Sequence, residues 1–213
     1  MQKRFRPIRK RCVTGGTYFR LHHFVLGGLV AQLVAGVLCF LLSGATGARA
    51  QTELPGEYEV KAAFLYNFAK FVEWPAETYS SPTAPIRLCV LGEDPFGRIL
   101  DHVVQGKSIN GRTLTILRSR QVRELRACHI LFIGASEQNR LPGIFAALQG
   151  SSALSVGDTE QFAQSGGAIQ FTLQDNRVRF TINLAASERA RLKISSKLLS
   201  LARVVHDDAR KGD

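Results

Sequence analysis

Between Ile86 and Val156, short apolar runs alternate with helical patterns, and this alternation restricts the possible folds more than any other feature of the chain. Residues 86–91, 112–117, 130–133 and 153–156 read as strands, two of them nearly continuous in Val, Ile and Leu. Residues 96–104 and 138–148 read as helices between them, the second partly spoiled by Pro142-Gly143, and residues 122–126 as a short helix or turn. Strands buried on both faces and joined by helical crossovers form a parallel sheet. The pattern then changes. Ile169, Phe171 and Leu173, then Val178, Phe180 and Ile182, alternate with polar residues on either side of Asp175-Asn176, which predicts an antiparallel hairpin. Residues 187–205 read as a closing helix with Ile194, Leu198, Leu201 and Val205 on its core stripe. The expected fold class is α/β: a single compact domain, mainly parallel sheet covered by helices, with a C-terminal antiparallel hairpin and helix. That domain occupies residues 57–205, after a short lead at 51–56 and before a polar tail at 206–213.

Residues 57–74 (EYEVKAAFLYNFAKFVEW) predict a helix ended by Pro75. Val60, Phe64, Phe68 and Phe71 make one apolar row and Leu65, Ala69 and Val72 another, so the helix is apolar over most of its circumference. Two readings follow. Either it lies between the sheet and the closing helix, or part of it is exposed and Phe64, Phe68, Phe71 and Trp74 form a contact surface for a partner or a second copy.

The first fifty residues follow a different rule. Lys3, Arg4, Arg6, Arg9, Lys10, Arg11 and Arg20 precede an apolar run over residues 24–42, and small residues lead to Ala48-Arg49-Ala50. This is the layout of a secretory signal with cleavage between Ala50 and Gln51, Ala48 and Ala50 being the small residues that define the site. The expected location is the periplasm. A signal anchor that holds the protein in the inner membrane through residues 24–42 is the competing reading, because nineteen residues reach the lower limit for a span. The net charge of +11 follows from this segment, which has eight Lys/Arg and no Asp/Glu. The remaining 163 residues carry 20 basic and 17 acidic side chains, which removes the main support for nucleic-acid binding.

Cys12 and Cys39 would leave with the signal, so the exported part keeps Cys89 and Cys128. An even count in an oxidising compartment points to one disulfide, with two separate buried thiols as the alternative.

Catalytic and ligand-binding constellations are weak. Residues 92–97 (GEDPFG) have the G-x4-G spacing of a phosphate loop but lack its Lys and Ser/Thr, and Glu93 and Asp94 would repel phosphate. Asp94 is better read as a cap with Pro95 in the first helical turn. Ser136 stands in half of a nucleophile-elbow pattern without its second glycine, and a helix cap explains it better. Cys128 and His129 are adjacent and point to opposite faces of a strand, which does not suit a metal site. No catalytic residue, metal or cofactor is expected. The rival function is a periplasmic small-ligand-binding protein, with its site near residues 92–97 and 134–139 at the carboxyl ends of the strands.

Six segments in order resemble the YfiR family. They are residues 66–75 (YNFAKFVEWP), 89–97 (CVLGEDPFG), 128–133 (CHILFI), 166–171 (GGAIQF), 179–183 (RFTIN) and 194–199 (ISSKLL). The resemblance implies an exported, non-enzymatic negative regulator that holds a YfiN-type inner-membrane diguanylate cyclase, or a related sensor, inactive through periplasmic contact. It also implies an outer-membrane lipoprotein that relieves repression, cyclic di-GMP and biofilm control as the output, and the Cys89–Cys128 pair as a disulfide. A homodimer is a further possible partner state. A second cysteine pair found in some relatives has no counterpart here, since no cysteine follows Cys128.

Overall fold

A computed structural model describes residues 56–205. The signal segment, its cleavage site at Ala48, Ala50 and Gln51, and the polar tail lie outside the described residues. The described residues open with α1 (Glu57–Phe71), which continues at once into β1 (Val72–Glu73). It then runs through β2 (Ile86–Leu91), α2 (Arg98–Val104), β3 (Ser108–Ile109), β4 (Arg112–Ser119), β5 (Ile130–Ile133), α3 (Leu141–Leu148) and β6 (Leu154–Gly157). The hairpin β7 (Ile169–Gln174) and β8 (Arg177–Asn183) follows, then α4 (Leu184–Arg189), β9 (Lys193–Ile194), α5 (Ser196–Leu199) and β10 (Arg203–Val205).

Eight strands form one sheet in the order β10-β8-β7-β6-β5-β2-β4-β3, and β1 pairs with β9 in a small second sheet. The strands from β4 to β7 are mutually parallel; β3 is antiparallel to β4, and β8 to β7. The fold is therefore the expected α/β sheet with helices on its faces. Side chains alternate along each strand, so β2 sends Leu88 and Val90 to one face and Cys89 and Leu91 to the other. The first face is covered by α1 and α2, the second by α3 and the Phe162 loop. Asp175 and Asn176 both have left-handed φ, 49° and 57°, as a two-residue turn of this type requires, and place Phe171 opposite Phe180.

Several boundaries differ from the sequence reading. The first helix stops at Phe71 rather than Trp74, because Val72-Glu73 pairs with Lys193-Ile194 and Pro75 holds Trp74 extended. Pro142 begins α3 instead of spoiling it: a 3-10 turn (Ala135–Arg140) comes first, and proline sits where a missing N–H costs nothing. The hairpin of β3 and β4, turned by Asn110-Gly111, was not expected from the pattern.

The closing helix over residues 187–205 does not form. Asn183 caps α4 by accepting the Ala186 N–H at 3.0 Å. Arg191 then takes φ 58°, which ends the helix. Ser195 caps α5, and Val204-Val205 adds to the sheet beside β8. Leu201, expected on the core stripe, is 65% exposed.

Candidate functional site

The aromatic residues of α1 turn inward. Phe68 is fully buried and cannot belong to a contact surface, which corrects its place in the expected patch. Its ring lies 5.7 Å from Phe171 and 5.3 Å from Phe180. Phe64, half-buried, stands 5.2 Å from Phe180. Phe71 and Trp74 are half-buried against the same core. Phe64 and Phe68 thus form the seam between helix and hairpin, with ring contacts that add to simple burial, while Val60 of the same row is 44% exposed.

At the start of α1, Lys61 is 4% exposed and sits between two carboxylates, 2.6 Å from Glu57 Oε1 and 2.6 Å from Asp158 Oδ2. The Tyr58 hydroxyl donates to the same Asp158 oxygen at 3.0 Å. A buried ammonium persists only when paired in this way. Asp158 is 97 residues away from Lys61, just beyond β6.

Cys89 and Cys128 are joined in a disulfide with Cα atoms 6.1 Å apart. Cys89 faces α3 from the middle of β2, and Cys128 ends the turn before β5. On the same side Phe162 lies against Gly157 and Gly167, where an added Cβ would fall 2.5 and 2.1 Å from the ring.

The carboxyl ends of β2 and β5 flank the point where the strand order reverses, the usual ligand crevice of such sheets. Here the two loops meet. Ser136 Oγ accepts the Glu93 N–H at 3.0 Å, and the side chains of Ser136 and Glu137 occupy the space where Gly92 would carry a Cβ. Arg140 pairs with the buried Glu137 at 2.7 Å. Ser136 therefore ties two loops together rather than capping a helix. Neither of its partners, the Glu93 amide and the Glu137 carboxylate, is a histidine that would activate it. Asp94 accepts the Phe96 N–H and binds Arg118 Nε at 2.6 Å, whereas Gly97 stands at the start of α2. Arg118 also reaches Asp101. Burial works against the Arg118 charge, and the hydrogen bonds to Asp101 and Asp94 outweigh it, so its pKa lies above the ordinary value. At the ligand site expected near residues 92–97 and 134–139, these side chains thus bond to one another and to Arg118.

The amino ends of the strands hold a different cluster. His129 is 4% exposed, its Nδ1 accepts the Arg87 N–H at 3.0 Å, and its ring stacks 4.6 Å from Tyr79. Trp74 approaches edge-on and donates Nε1–H to the His129 carbonyl at 3.0 Å. The Arg112 guanidinium covers the outer face of Tyr79 at 3.8 Å. Because Nδ1 accepts, Nε2 carries the proton of the neutral ring, and Nε2 has no partner among the described residues. Burial first, then the charges of Arg87 and Arg112, push the imidazole pKa down to about 4. His129 drew no sequence signal beyond its place beside Cys128.

A surface groove of about 390 Å³ runs between α3 and α4, lined by Pro142, Phe145, Ala186 and Ala190 among others. No group of three or more His, Cys, Asp or Glu among the described residues is placed to hold a metal. No helix among them is long and apolar enough to cross a membrane.

Fold and site together define a single α/β domain whose switch-point loops are tied to each other by their own side chains. The YfiR/HmsC-like family model matches residues 58–203, and the chain belongs to that family, one of periplasmic regulators of diguanylate cyclases. A conserved domain protein from Vibrio cholerae O1 biovar El Tor is similar in structure at 9% identity, with a TM-score of 0.50 over 70% of this chain and 60% of that one. The ABC domain in complex with L-Trp from Streptococcus pneumonia is similar at 11% identity and a TM-score of 0.40, over 56% of this chain and 54% of that one. The chain thus spans less than two thirds of the length of either structure. No curated protein matches the sequence.

Proposed function

We propose that this protein is exported to the periplasm and there represses an inner-membrane diguanylate cyclase, or a related sensor, by direct contact with its periplasmic part. The family match over residues 58–203 carries the reading. The partners of Ser136 agree with a role in binding rather than catalysis.

A regulator outside the membrane acts on an enzyme inside only by binding one receptor conformation better than another. Shifting a receptor from mostly active to mostly inactive requires a differential affinity of up to about 5.5 kcal/mol. Exposed ion pairs do not supply that, so the contact needs a buried apolar centre or a backbone ladder. In this scheme an outer-membrane lipoprotein relieves repression by competing for the regulator. Deleting the gene raises cyclic di-GMP several-fold, and re-expression of the exported protein restores the lower level. An unchanged level in the deletion strain contradicts the proposal.

A further inference from the structure

The outer edge of β4 is open. Its inner edge pairs with β2 over Leu114–Ser119, but its outer edge meets a strand only at Arg112 and Thr113, where β3 ends. Residues along a parallel strand direct both backbone groups alternately to either side. Ser119 accepts the Gly92 N–H on the β2 side, so Leu114, Ile116 and Arg118 turn their N–H and C=O groups outward. No strand among the described residues pairs with them.

Edge strands are ordinarily guarded by proline, by short length or by a charge laid across the edge. β4 has eight residues and no proline. The charge best placed to guard it, Arg118, is drawn aside onto Asp94, Asp101 and the Gly97 carbonyl. Leu117, two residues beyond the exposed Thr115, is 46% exposed. At the other end of the sheet, β10 has only three residues.

The surroundings of the edge select its occupant. Arg120 and Arg123 lie beside it, both exposed, while Lys107 stands over Tyr66 and Arg112 over Tyr79. Of the nearby acids, Asp94 and Asp101 share Arg118, and Glu124 accepts the Ser119 hydroxyl, so the exposed pair Arg120 and Arg123 sets the sign of the edge. A second copy would bring the same positive edge and be repelled. An extended acidic segment gains both a backbone ladder and opposite charge.

We propose that the β4 edge at Leu114–Ser119 receives an extended, acidic strand of a partner protein by strand addition. The proposal rests on the reading of this protein as one that works by contact. It is tested on the purified protein alone, so its failure is distinct from a failure to alter cyclic di-GMP in cells. The probes are the blocked heptapeptide Glu-Val-Glu-Val-Glu-Val-Glu and its counterpart with Lys for Glu. Saturating acidic peptide is expected to slow amide hydrogen exchange of Leu114, Ile116 and Arg118 at least tenfold, with no such effect from the lysine peptide. Ile116→Pro removes an outward N–H and, in a variant shown by circular dichroism to keep its fold, abolishes the protection. The double variant Arg120→Glu, Arg123→Glu, which alters only exposed positions, reverses the preference between the peptides. No protection with the acidic peptide, equal protection with both peptides, or protection elsewhere on the surface overturns the proposal. So does a dimer in sedimentation that closes this edge.

Discussion

The two faces of the sheet reach stability by different means. Under α1 and α2 the core is broad and rich in rings: Phe64, Phe68, Phe171 and Phe180 meet in one cluster, and Phe96 packs edge-on against Phe132 at 4.7 Å. Under α3 the core is narrower, built from Leu91, Leu131, Ile133, Ile144 and Phe162, and braced by the disulfide. Burial of large side chains sustains the first face. The second has less apolar surface to bury, and a covalent link over a sequence separation of 39 adds what burial lacks. Closing such a loop restricts the unfolded chain by about 4 kcal/mol on the chain-entropy model, a large part of a domain's net stability.

Four experiments sharpen this contrast. The largest loss is expected from Phe68→Ala, which empties a fully buried site on the broad face. It should cost about 3–5 kcal/mol in urea unfolding. A cost below about 1 kcal/mol would mean that α1 is not the interior seam described here.

Reduction of Cys89–Cys128 comes next. A loss of about 2–4 kcal/mol is expected, with the folded state retained. Thiol labelling of the unreduced protein should find neither cysteine free.

Acid acts on the amino ends of the strands. His129 is a base whose folded pKa, about 4, lies below its ordinary 6.5, so the unfolded chain binds the proton first. Its neutral form carries no penalty above about pH 6.5. Stability then falls as pH drops from 6.5 to 4, by about 3 kcal/mol in all, and the effect levels off below. His129→Gln should flatten the stability profile between pH 7 and 5 relative to the parent. Parallel profiles for the two proteins would show that the imidazole is not held neutral.

The smallest effect belongs to the ion pair Glu77–Arg191, whose side chains are 64% and 56% exposed. Glu77→Gln should change stability by less than about 0.5 kcal/mol.

The sequence made the centre of the sheet legible and left its margins obscure. Ile130–Ile133 is apolar at every position, so a doubly covered strand is the simplest outcome. Asp175-Asn176 sits between two alternating runs and allows a hairpin in a single register. The C-terminal segment misled because its apolar spacing fits a helix. Its breaks depend on Asn183 and Ser195 as caps, and its last residues find a strand partner in β8. The resemblance implied the cysteine pair. The Lys61–Asp158 and His129–Tyr79 contacts join residues 97 and 50 positions apart, and no local pattern encodes them. The aromatic row of α1 shows a further limit. Its spacing marked an apolar helix, but only the position of the hairpin decides which rings face inward.

If the disulfide braces the narrow face and is not itself the signal, a regulator without it should still regulate wherever enough of it folds. Cellular cyclic di-GMP measured with Cys89→Ser at periplasmic abundance matched to the parent tests this most directly. The account predicts repression equal to that of the parent, with derepression seen only when abundance is allowed to fall. Full loss of repression at matched abundance and unchanged fold would contradict it and make the disulfide a direct redox switch.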